Sequence, residues 1–221
     1  MHYEVSEGPY PLLSISLAAG ESLDAEVRAF VSMVGRAEIS SVPLKLSKSN
    51  LKKVLAGKKS GVTNHFVASI ASKLTFTSGL PGEILALDIQ ADRPMLARPG
   101  AYVASAGAVT MDVELRKLGT TSRLPLLRFD GEGPIFLGSS GAVHSIFLTD
   151  GKTMTLDSAH LLACDVGLEV HDVSEKGLSS SITGQQLLEL TGAGRILIQS
   201  LPRAPRSSPL TDALKALTSL I

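Results

Sequence analysis

The sequence of 221 residues contains no tryptophan, one cysteine and only 4% aromatic residues. The single cysteine, Cys164, excludes an internal disulfide, a zinc site built from several cysteines and an iron–sulfur cluster. Lys plus Arg and Asp plus Glu are both 21, and the resulting net charge of zero argues against a general nucleic-acid binder. With 44% apolar and 19% charged residues, the chain is too apolar for a disordered protein.

Targeting and membrane signals are also absent from the sequence. No apolar run approaches the ~18 residues that a membrane-spanning helix needs. Residues 1–7 lack the basic stretch and apolar core of an export signal. We therefore expect a soluble, cytoplasmic protein, and we leave peripheral contact with a membrane open.

Apolar and polar residues alternate along several short segments, which indicates β-strands with one buried face. The alternation is clearest at residues 109–116 and 13–17. Residues 84–89 and 196–198 are rich in branched side chains and bounded by glycine, as is typical of buried strands. Glycine-containing turn signals recur between these segments, and Asp-Gly favours a hairpin. The sequence therefore predicts an all-β protein of the sandwich or barrel type.

Helix is predicted in two segments. Residues 49–57 form a short basic segment with a capping side chain at its start and glycine at its end. Near the end of the chain, Ser208 is a capping residue and the apolar side chains of residues 210–221 recur at helical spacing. We expect residues 1–200 to form one triplicated β domain, and residues 201–221 to form a proline-rich linker and an amphipathic helix. Such a helix docks on its own body or on a neighbour, so it suggests a homo-oligomer.

The chain contains similar segments at several places. Residues 126–139 match residues 187–200 without a gap, each as strand, Gly-x-Gly, strand, serine, and residues 74–86 give a looser third copy. A shorter module recurs at residues 29–33, 101–105 and 160–164. Because one small unit cannot cover its own apolar face, we predict three β-sandwich-like repeats with internal pseudo-threefold symmetry. The alternative is that hairpins resemble one another through shared turn chemistry.

These segments resemble the altered-inheritance-of-mitochondria family, twenty-fourth member, whose prokaryotic relatives were known as domain of unknown function 124. The matching segments are residues 99–105, 129–137, 148–152, 157–163 and 190–194. Together they span most of the chain between residues 10 and 200. The poorest match is residues 28–33, where relatives usually carry a glycine-containing turn.

The resemblance implies a fold like that of the tryptophan RNA-binding attenuator protein, arranged as three repeats, with no established enzymatic activity. It also implies a role among proteins at a membrane, since mitochondrial members are associated with the integrity of inner-membrane organising complexes. Likeness to an RNA binder is analogy and does not transfer function. RNA binding uses aromatic stacking platforms and a positive groove, and this chain offers little of either, so nucleic acid is not the expected partner.

Residues 36–59 hold seven basic residues and one acid, Glu38. One interpretation is a solvated helix and loop. The other is contact of segment 45–59 with an anionic surface, such as lipid headgroups or nucleic acid. The candidate contact residues are Lys52, Lys53, Lys58 and Lys59.

Catalytic and metal-binding signals are weak. The last third holds imidazoles and carboxylates without a local ligand pattern, at His144, Asp150, Asp157, His160, Asp165 and His171. Ser139 follows a strand but lacks a Gly-x-Ser-x-Gly motif, and Cys164 lies in an apolar segment that predicts a buried, unreactive thiol. The Gly-x-Gly segments at 131–133 and 192–194 are interpreted as hairpin turns between strands, not as phosphate loops. No catalytic residue, cofactor or metal ligand is assigned.

The expected function is a non-enzymatic assembly or interaction protein with unidentified protein partners, one option being a membrane-associated complex. One alternative is a small-molecule binder or enzyme with a pocket on the pseudo-threefold axis. A further alternative is binding to an anionic surface through the lysine-rich segment.

Overall fold

The computed structural model describes residues 1–43, 62–118, 122–173 and 186–202. Over these residues the chain forms β-strands and two 3-10 turns of three residues each. All pairings between the named strands are antiparallel, and one isolated parallel bridge joins Gly82 to Gly141. The predicted all-β class is therefore confirmed. Both predicted helices, at residues 49–57 and 208–221, lie outside the described residues.

A short first strand, β1, spans His2–Val5. The next six strands are β2 (Leu12–Leu17), β3 (Ser22–Glu26), β4 (Phe30–Val34), β5 (Ala37–Pro43), β6 (Val62–Ala68) and β7 (Ser72–Thr77). They are followed by β8 (Ile84–Ile89), β9 (Met95–Ala97), β10 (Tyr102–Ala106), β11 (Thr110–Leu118), β12 (Ser122–Asp130) and β13 (Gly133–Gly138). The last six are β14 (Val143–Leu148), β15 (Thr153–Asp157), β16 (Leu161–Asp165), β17 (Glu169–Asp172), β18 (Leu187–Thr191) and β19 (Gly194–Gln199). The 3-10 turns, Pro99–Ala101 and Ser158–His160, directly precede β10 and β16.

The strands form four sheets. The first has the order β1-β2-β7-β4 and the fourth the order β15-β18-β17. Between them, the second sheet has the order β5-β6-β3-β10-β13-β8, and the third has the order β11-β12-β9-β16-β19-β14. The predicted strands at 13–17, 84–89, 109–116 and 196–198 correspond to β2, β8, β11 and β19.

One order of pairing occurs three times along the chain. β7 lies between β2 and β4, β13 between β8 and β10, and β19 between β14 and β16. Likewise, β6 lies between β3 and β5, β12 between β9 and β11, and β18 between β15 and β17. Two junctions, β3 with β10 and β9 with β16, join these sets into the six-stranded second and third sheets. A threefold axis stays a prediction.

The short module predicted at three places corresponds to β4, β10 and β16. Each of these strands shifts register against its neighbour at the same point, after Phe30, Tyr102 and Leu161 respectively. The looser third copy of the longer module, residues 74–86, is wrong. Those residues belong to β7 and β8, and by pairing the counterparts of β12–β13 and β18–β19 are β6–β7.

The Gly-x-Gly segments are corners between sheets, so their interpretation as hairpin turns is wrong. β12 belongs to the third sheet and β13 to the second, while β18 belongs to the fourth and β19 to the third. Gly131 has a φ of +99°, and a Cβ there would lie 2.1 Å from the carbonyl oxygen of Ala108. Glycine is needed because the chain turns sharply against a neighbouring backbone as it changes sheet.

Three apolar cores lie between successive sheets. Leu13, Ile15 and Phe76 of the first sheet meet Leu23 and Phe66 of the second. The second and third sheets share a core that includes Ile135, Leu137, Leu127 and Phe129, and the third and fourth share one that includes Leu126, Ile196, Leu188 and Leu190. Each such side chain contributes about 1.5–3 kcal/mol when it leaves water. The sheets therefore follow one another as a series of layers.

Candidate interaction surface

The candidate lysines Lys52, Lys53, Lys58 and Lys59 lie outside the described residues, as does the rest of segment 45–59. Arg36 lies within them, and its backbone N–H donates to Ser72 Oγ at 2.9 Å. In the described part of the chain, no helix combines the length and apolarity needed to cross a membrane.

The imidazoles and carboxylates of the last third serve separate local contacts. Asp157 Oδ1 accepts a hydrogen bond from the Ala159 backbone N–H at 2.9 Å, which begins the second 3-10 turn. His160 Nδ1 lies 2.7 Å from the Gln199 carbonyl oxygen, and Asp165 Oδ2 accepts from the Arg195 N–H at 2.8 Å. His144, Asp150 and His171 are exposed. No three His, Cys, Asp or Glu residues of the described ranges are grouped to hold a metal ion.

The two nucleophile candidates are buried. Cys164 belongs to the core between the third and fourth sheets, and burial raises its pKa to about 12. The thiol is therefore protonated at neutral pH, as the sequence predicted for a core cysteine. Ser139 donates to the Gly141 carbonyl at 2.7 Å and accepts from the Glu83 N–H at 2.9 Å. The bond from Glu83 ties the end of β13 to the start of β8.

Two cavities lie beside the sheet junctions. One of about 230 Å³ is lined by β8 and the segment after it, by Met95, and by residues of β16 and β19. Its charged lining residues are Asp88, Arg93, Asp165 and Arg195. Arg195 Nε is buried there, with no hydrogen-bond partner in the described structure. The other, of about 90 Å³, lies beside Tyr102, whose hydroxyl donates to the Asp24 carbonyl at 3.0 Å. Burial raises the pKa of Tyr102. Neither cavity is lined by three equivalent loops.

Two strands, β4 and β15, each have one edge that pairs with no described strand, whereas the equivalent strands of the other sheets are paired on both edges. β10 is paired on both sides, by β3 and β13, and β16 by β9 and β19. Their counterpart in the first sheet, β4, is paired by β7 alone. In the same way β3 and β9 have two neighbours, whereas β15 in the fourth sheet pairs with β18 alone. The unpaired edges thus lie at the two ends of the series of sheets.

The apolar side chains of β4 are exposed where their counterparts are buried. Val31 is 47% exposed and Val34 is 75% exposed. At the same places in β10, Val103 is 1% exposed and Ala106 is 7% exposed. Leu12 of β2 is also exposed, although its counterpart Ile84 of β8 is buried. We call Leu12, Val31, Val34 and the unpaired edge of β4 the β4 surface.

The sequence of β4 also lacks the residues that usually protect a strand edge. Charged residues and proline on an edge discourage pairing with other chains. The strand Phe30–Val34 contains none of these residues, and β15 contains one, Asp157 at its end. Each of the other outer strands carries at least one charged residue, histidine or proline: His2 and Glu4 in β1, Glu38 and Pro43 in β5, Asp88 in β8, His144 in β14, Glu169 and Asp172 in β17, and several in β11.

The sequence analysis missed the β4 surface. The apolar residues Phe30, Val31, Met33 and Val34 are typical of a strand buried on both faces, and β10 is such a strand. The one indication in the sequence is that β4 contains no charged residue or proline, unlike most other strands at sheet edges. That signal becomes interpretable only when the pairing order shows that one side of β4 has no neighbour.

Comparison with known proteins supports the resemblance inferred from the motifs. The family model described as Mitochondrial biogenesis AIM24 matches residues 3–201. An uncharacterised protein of Streptococcus pyogenes serotype M6 is 32% identical over 136 residues, which cover 58% of this chain and 54% of that protein. The chain thus matches about half the length of this curated relative. A crystal structure of a Streptococcus pyogenes protein superposes with a TM-score of 0.73 at 25% identity, covering 91% of this chain and 94% of that one.

Proposed function

Since the chain belongs to the mitochondrial biogenesis AIM24 family, as its motifs predicted, we propose that it works as an assembly protein through contact with other polypeptides. The observation that carries this proposal is the β4 surface, where apolar side chains and an unpaired strand edge are open to solvent together. Exposed strand edges recruit an extended segment of a partner by main-chain hydrogen bonds, with side-chain contacts adding specificity. The biochemical role of the family is unknown.

The recurring pairing order supports a finer proposal about architecture. Three consecutive units, β2–β7, β8–β13 and β14–β19, repeat one strand order, with the register shift of the short module in each. In such an array, each unit covers the apolar face of the next, and the terminal units are left with uncovered surface. This arrangement explains why an open surface occurs in the first unit.

The test compares two variants of the purified, tagged protein in affinity capture from a lysate of the source organism. Val34→Lys places a charge in the β4 surface. Ile39→Lys is the matched control, because Ile39 is 51% exposed on β5, an outer strand of another sheet. We expect captured proteins to be lost with Val34→Lys and retained with Ile39→Lys. Equal capture by both variants and the wild type would contradict the proposal.

A second candidate function rests on the 230 Å³ cavity. Arg195 Nε, buried without a hydrogen-bond partner, favours an anionic small molecule there. Stabilisation of the wild type by small carboxylates or phosphates, and its loss in Arg195→Gln, would support a ligand site. This cavity lies against β8, β9, β16 and β19, whereas the alternative drawn from the sequence was a pocket on the pseudo-threefold axis.

Three further proposals come from the sequence. The lysines at 52, 53, 58 and 59 are proposed to contact an anionic surface, which would place the protein at the periphery of a membrane. Residues 201–221 are proposed to form a proline-rich linker and a docked helix that contributes to self-association. Residues 1–200 are proposed to fold as one domain.

A further inference from the structure

We infer that the partner of the β4 surface is a second copy of this chain, which pairs its β15 edge with β4 in a head-to-tail assembly. This inference rests on the proposed function and names the occupant of the same surface. The chain already forms two such junctions within itself, between β10 and β3 and between β16 and β9.

The internal junctions show which edges fit together. Ala104 of β10 pairs with Ala25 of β3, and Ser105 and Ala106 pair with Asp24 and Leu23. Ala163 of β16 pairs with Ala97 of β9, and Cys164 and Asp165 pair with Leu96 and Met95. The two junctions therefore have the same direction and the same register.

The two unpaired edges are the counterparts of the strands that form those junctions. β4 is equivalent to β10 and β16. It has the same register shift, and it pairs with β7 as β10 pairs with β13 and β16 with β19. β15 has the place of β3 and β9, and it pairs Met154 with Leu190 where β9 pairs Met95 with Phe129. The register expected between them is Val34 opposite Met154, Met33 opposite Thr155, and Ser32 opposite Leu156.

The same chain does not bring these two edges together in the described structure. One apolar core joins the first sheet to the second, another joins the second to the third, and the last joins the third to the fourth. None of these three cores contains residues of both the first and the fourth sheet. β4 and β15 therefore belong to opposite ends of the series, and Val34 remains 75% exposed.

A contact between two different surfaces of identical chains is heterologous. It leaves one β4 edge and one β15 edge free after each addition, so growth stops only when the rotation between copies closes a ring. Exposed Val31 would then be covered as Val103 and Leu162 are, and exposed Val34 as Ala106 is.

The first experiment measures the mass of the full chain by light scattering over a range of concentrations. We expect the wild type and Ile39→Lys to gain mass in steps of one chain. We expect Val34→Lys to need at least about tenfold higher concentration for the same gain, because the ammonium would lie opposite Met154 and beside Lys73, without a partner such as Asp165 has in the Arg195 N–H at the equivalent position. A single-chain mass for the wild type at every concentration overturns the inference.

The second experiment tests the register with cysteines. A mixture of Val34→Cys chains and Met154→Cys chains is expected to form disulfide-linked dimers on mild oxidation. The matched mixture of Ile39→Cys and Met154→Cys is expected to stay unlinked, and buried Cys164 provides the unreactive background. If the Val34→Cys mixture stays unlinked, the inference is wrong. Linkage within one chain of a double variant, Val34→Cys with Met154→Cys, would then show that the β4 and β15 edges meet inside the same chain.

A third variant distinguishes β15 of a second copy from the C-terminal tail as the segment that binds the β4 surface. Deletion of residues 203–221 is expected to weaken self-association at most, because it leaves the β4 and β15 edges in place. If the deletion abolishes it while Val34→Lys has no effect, the tail and not β15 makes the contact. If the chain is monomeric yet captured proteins are still lost with Val34→Lys, this inference fails and the proposed assembly function stands.

Discussion

At the scale of single residues, Gly131 and Gly151 both follow an aspartate and both have positive φ, +99° and +73°, but their surroundings differ. A Cβ on Gly131 would meet the Ala108 carbonyl oxygen at 2.1 Å, whereas one on Gly151 meets nothing within 4 Å. We expect Gly131→Ala to lower the free energy of unfolding by more than about 3 kcal/mol, and Gly151→Ala by only about 1 kcal/mol. Urea denaturation of both variants measures the difference, and equal losses would contradict the corner described at Gly131.

The buried thiol of Cys164 makes a prediction about pH. Its pKa of about 12 in the folded protein exceeds the ~8.5 of an unfolded thiol. Between these values the unfolded chain releases the proton and the folded chain keeps it, so the free energy of unfolding falls as the pH rises. At neutral pH we expect the wild type to be about 1–2 kcal/mol more stable than Cys164→Ala, which leaves a small cavity.

The comparison of the two proteins isolates this titration from that of other groups. The stability advantage of the wild type over Cys164→Ala is expected to shrink above pH ~8.5, by up to ~1.4 kcal/mol per pH unit. Denaturation curves of both proteins between pH ~7 and pH ~10 provide the measurement. An advantage that is independent of pH would show that the thiol is not shielded as described.

At the scale of elements, the end of β19 is fastened to two other segments through Gln199. Its Oε1 accepts from the Ser140 N–H at 3.0 Å, and its Nε2 donates to the Ala159 carbonyl at 3.1 Å. Gln199→Leu leaves both backbone groups without this partner, so we expect a loss of about 3 kcal/mol in the free energy of unfolding. Gln90→Leu is the control, because Gln90 is exposed. Thermal and urea unfolding that affect both variants alike would refute the role of Gln199.

The sequence predicted individual strands better than their connections. Alternation found β2 and β11, and branched residues between glycines found β8 and β19, because burial of one face or of both leaves a local pattern. The connections depend on which sheet receives the next strand, and Asp130-Gly131 has the same local chemistry in a hairpin and in a corner between sheets. For this reason the class and many strands were predictable, while the corners and the longer module of the first unit were not.

The candidate surface was unpredictable for a related reason. Val31 and Val103 occupy counterpart positions, and both are valines in short apolar strands. Val103 is buried because it packs in the core between the first and second sheets. Val31 is exposed because no described sheet covers the equivalent face of β4. The local sequence shows which side chains of a strand can be buried, and the surrounding strands and sheets determine which of them are buried.

At the scale of the whole molecule, the balanced charge hides an uneven distribution. Seven of the basic residues fall between residues 36 and 59, with Glu38 as the one acid. If this segment contacts an anionic surface, replacement of Lys52, Lys53, Lys58 and Lys59 by glutamine should abolish co-sedimentation with phosphatidylserine vesicles. Each lysine near such a surface contributes about 1 kcal/mol. Because this attraction is electrostatic, binding should also weaken as salt rises. Wild-type protein that stays in the supernatant would remove the proposal.

The two internal junctions have a consequence for how the molecule comes apart. β10 is hydrogen-bonded to β3 on one side and to β13 on the other, so no boundary between units can open without breaking a continuous sheet. Each fragment produced by cleavage at such a boundary would have an unpaired strand edge and only part of the apolar core that it shares with the other fragment. A calorimeter should therefore record a single endotherm whose van't Hoff and measured enthalpies agree, and a fragment holding only one third of the strands should not fold alone.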